Sequence, residues 1–479
     1  MKLNYLASLT DSFSTTMKTY FYTVLLLCIL NAPIRAQTIQ PFKQGDRVVF
    51  TGNSITDGGH YHSYIWLYYI THFPNRRITV FNAGIGGDVS RQILERFDSD
   101  VFAKKPTVVT LTFGMNDTGY QNLRGEKADS TYAAKIATSL KSFRLIEDKL
   151  KQHPEIRKVM IASSPYDETS KIKTTPLIGK NAAMLQIAND QQNIAAKNHW
   201  DFVDLNRPMT AINLREQQTD SAFTMQGGDR IHPTNDGQMV MAYLFLKAQG
   251  LVGKKVANVV VDANTKKVSL AQNCIVTAPQ INNEHIKFNY LAASLPYPLD
   301  TIPSGFGRPG KSQAQALKLV PFIEEFDQEI VQIKGLKQSA QYTLKIDGQL
   351  IGTWNADDYA KGINMALLTN TPQYQQAVAV MHINEERWNI ERRLREYYWI
   401  HYSILKPKGM LFNDEPATLD SLQKYARKDF FVAATLPTYQ KARIKAVRDV
   451  WQKEIDLLTD ELYHINKPVN HIMEIALAR

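Results

Sequence analysis

Cysteine is nearly absent from this chain: 479 residues hold two, Cys28 and Cys274. Cys28 sits in an apolar N-terminal stretch, so removal of that stretch leaves Cys274 alone and no intrachain disulfide can form. The fold must then rest on its core, and 44% hydrophobic residues are enough to build one. Long apolar runs are also scarce. The one that stands out lies in "MKTYFYTVLLLCILNAPIRAQ", which starts at Met17. Its apolar part is about ten residues, against about 20 for a bilayer span. With Lys18 before it, a break at Asn31–Pro33 and the small Ala36 after it, the stretch reads as a secretory signal. The expectation is a signal peptide over 1–36, with Met17 as an alternative start and cleavage after Ala36. A periplasmic or secreted protein without stable membrane insertion follows from it.

Other absences narrow the function. The net charge of +10 is spread, with no basic block and no nucleic-acid-binding motif, so no nucleic acid is expected as a partner. There is no His-Glu-x-x-His and no Cys-x-x-Cys, so neither a metal nor a cofactor is expected. Gly84, Gly86 and Gly87 do not form a dinucleotide fingerprint, because Val89 occupies its sixth position. No G-x-S-x-G is present, which argues against the nucleophile elbow of the α/β-hydrolases.

What is present begins with an alternation. "RVVFTG" (47–52), "ITVFNAG" (78–84), "TVVTLTFG" (107–114), "KVMIASSP" (158–165) and "DFVDLN" (201–206) read as buried strands. Helical patterns lie between them at 61–73, 89–104, 132–152 and 181–198. Continuous apolar strands alternating with helices predict a parallel sheet covered on both faces. Ligands of such sheets bind outside the carboxyl ends of the strands. After about residue 252 the pattern changes to short β runs, with Asp347-Gly348 as a hairpin signal. From 356 it turns helical, and Ile444, Val447, Trp451, Ile455, Leu458, Leu462 and Ile465 form one apolar stripe. The expected division is 37–252 for the α/β domain, 253–355 for a small antiparallel sandwich-like β unit, and 356–479 for a helical region that packs back onto the α/β domain.

Four blocks sit at the predicted strand ends: "GNSIT" (52–56), "NAGIGGD" (82–88), "GMND" (114–117) and "DRIHP" (229–233). In order and placement they resemble the SGNH hydrolases, the GDSL-like esterase and lipase family, over roughly 46–250. The resemblance implies a three-layer, flavodoxin-like α/β fold. It implies Ser54 as nucleophile, His232 as general base and Asp229 as the orienting acid. It also implies an oxyanion hole made of the Ser54 N–H, the Gly87 N–H and the Asn116 side chain. Asn53 departs from the family pattern, which has Asp there.

The residue types suit acyl transfer. A Ser hydroxyl needs a base to take its proton, imidazole can do so near neutral pH, and a carboxylate on the other ring nitrogen fixes the tautomer. Each block also has a plainer reading: Ser54 as a helix cap, the glycines as a turn, Asn116-Asp117 as turn chemistry, His232 as a cap before Pro233, and Asp229 as a loop acid. His60 and His62 are expected on a surface helix. "REYYWIHY" (395–402) reads as core, with a sugar-stacking platform as the alternative.

The reading that follows is an exported serine ester hydrolase, a carbohydrate O-acetylesterase acting on a small-molecule or polysaccharide ester. The loops 116–131, 166–175 and 213–229 are largely polar and offer no continuous apolar wall for a long acyl chain. The alternatives are a lysophospholipase or thioesterase of the same family, and a catalytically silent glycan-binding protein. Nothing in the sequence fixes an oligomeric state.

Overall fold

The computed structural model describes residues 39–121, 126–303 and 310–478. The expected signal peptide, Met17 and Cys28 lie outside the described residues. Five strands form a parallel sheet: β1 (Arg47–Gly52), β2 (Thr79–Gly84), β3 (Val108–Phe113), β4 (Arg157–Ala162) and β5 (Asp201–Asp204), in the order β2-β1-β3-β4-β5. Phe50 pairs with Asn82 and Thr110, and Thr110 with Val159, so all carboxyl ends lie on one side. Alternate strand residues feed two cores. Val48, Phe50, Val80 and Val159 meet the buried helices α2 (Tyr61–His72) and α7 (Asn235–Ala248) on one face. Val49, Val109, Leu111 and Met160 meet α3 (Ser90–Glu95), α4 (Glu126–Lys151) and α5 (Lys180–Lys197) on the other. These are the three layers that continuous apolar strands require. Ser54–Asp57 forms the short helix α1, and Asn206–Glu216 forms α6 in a stretch that reads from the sequence as loop.

The helix expected over 89–104 ends at Glu95. The chain goes on as one wide turn, Phe97–Val101, and a 3₁₀ turn, Phe102–Lys104. Two charges turn inward there. Arg96 and Asp100 are each 1% exposed, and Arg96 bonds Asp88 at 2.7 Å, Asp100 at 2.6 Å, and the carbonyls of Ala83 and Gly52 at 2.8 and 2.9 Å. A buried ion network adds little net stability but fixes what it touches. Here it ties together the ends of β1 and β2.

The β region holds two sheets. One, ordered β13-β10-β6-β7, is mixed, because β6 (Ala257–Asp262) and β10 (Glu329–Lys334) pair in parallel; β7 is Lys267–Gln272 and β13 is Ile363–Asn364. The other is antiparallel: β12 (Gln349–Asn355), β11 (Gln341–Ile346), β14 (His471–Leu477), β9 (His285–Ala292) and β8 (Cys274–Ile281). The terminal stretch, expected to be helical, supplies the middle strand of this sheet and buries Met473 and Ile475. Alternating "HIMEIAL" suits a half-buried strand, whose partners are remote in sequence. Two short helices, α8 (Phe322–Phe326) and α9 (Ala356–Lys361), precede the long helix α10 (Pro372–Trp399), which is followed by α11 (Pro416–Ala426), α12 (Phe430–Ala442) and α13 (Lys445–Ile465). Ala377 and Val380 of α10 and Leu462 and Tyr463 of α13 share the core of α2 and α7. The helical region therefore packs on the sheet domain.

Candidate active site

β1 ends at Gly52, and Asn53 caps α1 by accepting the Ile55 N–H at 3.0 Å. An amide oxygen does here what a carboxylate would, so the Asn53 departure leaves the local turn intact. Ser54 is the first residue of the helix. Its Oγ lies 2.8 Å from His232 Nε2, and His232 Nδ1 lies 2.5 Å from Asp229 Oδ2. The other Asp229 oxygen accepts the N–H groups of Ile231 and His232 at 2.9 and 3.0 Å. Burial acts to raise the Asp229 carboxyl, but the His232 hydrogen bond and charge and the two N–H groups outweigh it, so the group lies below its usual range. An ionised acceptor facing Nδ1 fixes Nδ1–H, and leaves Nε2 as the acceptor that faces the serine.

Arg230 holds this loop in place, a role that sequence reading did not assign. It sits at φ +66° with its side chain 1% exposed, and donates to the carbonyls of Thr174, Asp167 and Ile172 at 2.7, 2.9 and 3.3 Å. The turn that presents Asp229 and His232 is thus bolted to segment 167–174.

Gly87 follows β2 and Asn116 follows β3, the two strands that flank β1. At Gly84 a Cβ would run into the backbone of Thr56 and Asp57, so only glycine lets the β2 loop lie against α1. Gly87 has φ +87° with open space where a side chain would start. Among the described residues, no hydrogen bond engages the N–H of Ser54 or of Gly87. Asn116 donates from Nδ2 to the Asp88 carbonyl at 2.9 Å, and its Oδ1 accepts from the Tyr120 hydroxyl at 2.5 Å. An amide nitrogen carries two hydrogens, so one remains for a ligand. Lys180 fixes the backbone of this loop. Its ammonium is buried and donates to Met115 O, Thr118 Oγ1 and Gly119 O at 2.6, 2.7 and 2.6 Å, and burial pushes its pKa down to about 7. Asp117 laces the two loops together, accepting from Ser90 N at 2.9 Å, Ser139 Oγ at 2.7 Å and Gly114 N at 3.0 Å.

Beside Asn116 opens a cavity of about 450 Å³. Ser90, Thr131, Thr138, Ser139 and Ser142 give it hydroxyls, Asn116 and Gln121 amides, Asp117 a carboxylate, and Arg91 and Lys135 positive charge, while Val89 and Ala134 are apolar. Among the described residues, no group of three or more His, Cys, Asp and Glu side chains is arranged to hold a metal ion. The helix that carries His60 and His62 is buried throughout rather than on the surface. His60 stacks on Trp388 at 3.9 Å and bonds Glu385 at 2.9 Å, because α10 covers α2. His62 Nε2 bonds Thr56 O at 3.2 Å, and burial pushes its pKa down to about 4. From the 395–402 cluster, Arg395, Tyr397, Ile400, His401 and Tyr402 are buried, while Trp399 reaches the β2 loop.

The model of the GDSL-like lipase/acylhydrolase family matches residues 50–240, and the model of a diltiazem deacetylase C-terminal helical domain matches 378–467. The solved structure of a gut microbial diltiazem-metabolizing enzyme is similar at 48% identity and a TM-score of 0.89, covering 92% of this chain and 99% of that one. An acetylxylan esterase of Geobacillus stearothermophilus is 26% identical over 222 residues, which are 43% of this chain and 94% of the relative.

Proposed function

This chain belongs to the GDSL-like lipase/acylhydrolase family and is a carboxylic ester hydrolase, and from that premise we propose that it is an exported O-acetylesterase that works through Ser54, His232 and Asp229. The observation that carries the reading is the unbroken chain from Ser54 Oγ to His232 Nε2 at 2.8 Å and from His232 Nδ1 to Asp229 Oδ2 at 2.5 Å. His232 takes the serine proton as Ser54 attacks the ester carbonyl. It then returns that proton to the departing alcohol, and a water molecule repeats the sequence on the acyl-serine. The developing oxyanion is met by the N–H groups of Ser54 and Gly87 and the spare hydrogen of Asn116. Each such donor is worth about 3–4 kcal/mol in the transition state.

Two features support a short acyl group on a polar alcohol. The cavity beside Asn116 carries hydroxyls, two amides, the Asp117 carboxylate and two cations, which offer hydrogen-bond partners to a sugar. A long chain would need an apolar wall worth about 0.8 kcal/mol per buried CH₂. The matching diltiazem deacetylase helical-domain model and the similar acetylxylan esterase both point to acetyl groups by their descriptions, on different alcohols. A small drug-like acetyl ester is therefore the second reading, favoured by the 48% identity to the diltiazem-metabolizing enzyme. Export rests on the 17–36 pattern alone, and fractionation of a cell that expresses the full chain tests it. For the substrate, kcat/KM is measured from acetyl to decanoyl esters and on acetylated xylo-oligosaccharides. The reading expects a maximum at acetyl and release of acetate from the sugar. A steady rise toward decanoyl would favour a lipase or lysophospholipase instead.

A further inference from the structure

One face of α10 lies along the end of β2 and the loop that carries Gly87. Glu391, Arg395 and Trp399 recur every four residues and so stack along one side of the helix. Glu391 accepts the Asn82 N–H at 2.8 Å, Arg395 donates to Gly84 O at 3.0 Å, and the Trp399 indole N–H donates to Gly86 O at 3.1 Å. Arg392 works from the neighbouring position. It binds the Asp57 carboxylate at 2.6 Å and its carbonyl at 2.9 Å, while the second Asp57 oxygen accepts the Gly86 N–H at 3.1 Å. Both backbone polar groups of Gly86 are thereby held.

The Gly86 carbonyl and the Gly87 N–H belong to one planar trans peptide and point in opposite directions. A bond that fixes the carbonyl therefore aims the N–H. This peptide lies between two glycines, where the backbone has the most freedom to rotate it. We propose that Trp399 is a positioning residue for the oxyanion hole: its indole N–H pins the Gly86–Gly87 peptide so that the Gly87 N–H faces the reacting carbonyl. The C-terminal helical region then has a part in the chemistry besides covering the sheet domain. This rests on the reading of Gly87 as an oxyanion donor.

The test uses the full chain with Trp399→Phe, which keeps an aromatic ring and loses the N–H, alongside wild type and Ser54→Ala. Turnover of p-nitrophenyl acetate is expressed per titrated active site, and inhibition by phenylboronic acid, whose serine adduct puts an oxygen in the hole, is measured in parallel. Outright loss of one donor costs about 10²–10³ in kcat. A peptide that is freed only part of the time should cost about 10- to 100-fold in kcat, with KM within about twofold and the boronate Ki rising in step. Arg392→Met, which frees the other end of Gly86 through Asp57, should show the same split and serves if the first variant does not fold. A kcat per site within twofold of wild type while Ser54→Ala is inactive would overturn the positioning role and leave the site reading standing. A loss carried by KM, with boronate affinity unchanged, would overturn it as well. Turnover by Ser54→Ala would remove the site reading, and this inference with it.

Discussion

Replacing Asp229 by Asn tests the proton chain at its outer end. In the native site Oδ1 accepts two backbone N–H groups and Oδ2 accepts from His232 Nδ1. An asparagine keeps the loop only if its oxygen stays on the two N–H groups. Its NH₂ must then face Nδ1, and that contact is possible only if Nδ1 becomes the acceptor. The proton moves to Nε2, which faces Ser54 Oγ as a donor and can no longer take the serine proton. The geometry survives while the tautomer is wrong. In serine hydrolases this arrangement costs about 10⁴ in kcat, or about 5.5 kcal/mol at 1.36 kcal/mol per decade. Asp229→Ala imposes no tautomer and should lose less, although it also frees the loop. The assay is steady-state hydrolysis of p-nitrophenyl acetate, with thermal unfolding to show that Asp229→Asn is folded. A folded Asp229→Asn that keeps more than a tenth of wild-type kcat would refute the tautomer argument.

Further expectations concern the oxyanion loop, the pH dependence of stability and the terminal strand. Asn116→Ala should lower kcat by about 10²–10³, and Tyr120→Phe, which removes only the 2.5 Å bond that orients the amide, should lower it less; equal rates for all three proteins would remove Asn116 from the hole. Burial pushes Glu329 from 4.5 up to about 7, against hydrogen bonds from Tyr290 and Gln373. Between these values the folded chain holds a proton that the unfolded chain has released, so this group's stabilisation is full below pH 4.5 and fades as pH rises through 7, by about 3 kcal/mol. Glu329→Gln should therefore gain on wild type in denaturant melts as pH rises across that window, and parallel curves would contradict the linkage. Deleting 471–479 removes the strand between β11 and β9 and leaves both edges unpaired, along with the partners of buried Met473 and Ile475. Each such side chain is worth about 1.5–3 kcal/mol, so soluble yield should collapse, and a soluble, fully active truncation would show the strand to be dispensable.

The α/β core was legible because its signals are local. "VVTLTF" is apolar along its whole length, as only a strand buried on both faces needs to be, and β3 forms at Val108–Phe113 within the expected 107–114. Ser54, Gly87, Asn116, Asp229 and His232 are named through the resemblance that four blocks carry in order, and not because any one block is distinctive; Ser54, Gly87 and Asn116 follow β1, β2 and β3 as expected, whereas Asp229 and His232 lie beyond α6, in the turn before α7. What could not be read was set at long range. Nothing near "HIMEIAL" says that its partners are 285–290 and 342–346. The helix over 89–104 broke because Arg96 and Asp100 serve Gly52, Ala83 and Arg395, contacts that helical periodicity cannot contain. His60 reads as a surface residue because the helix that covers it lies more than 300 residues on, at Glu385 and Trp388, while His62 is turned inward onto Thr56 and Phe50. Trp399 sat within an aromatic cluster that composition alone assigns to core, and its contact with Gly86 O depends on the helical register of α10 against β2.

The central claim is that Ser54 carries the acyl group. Wild-type protein mixed with excess p-nitrophenyl acetate, quenched in acid within milliseconds and digested, should carry acetyl on the peptide that contains Ser54. His232→Ala and Ser54→Ala should carry none there, and a burst of nitrophenol should match the labelled fraction. Acetyl on another residue in wild type, or turnover by Ser54→Ala without label at position 54, would contradict the account.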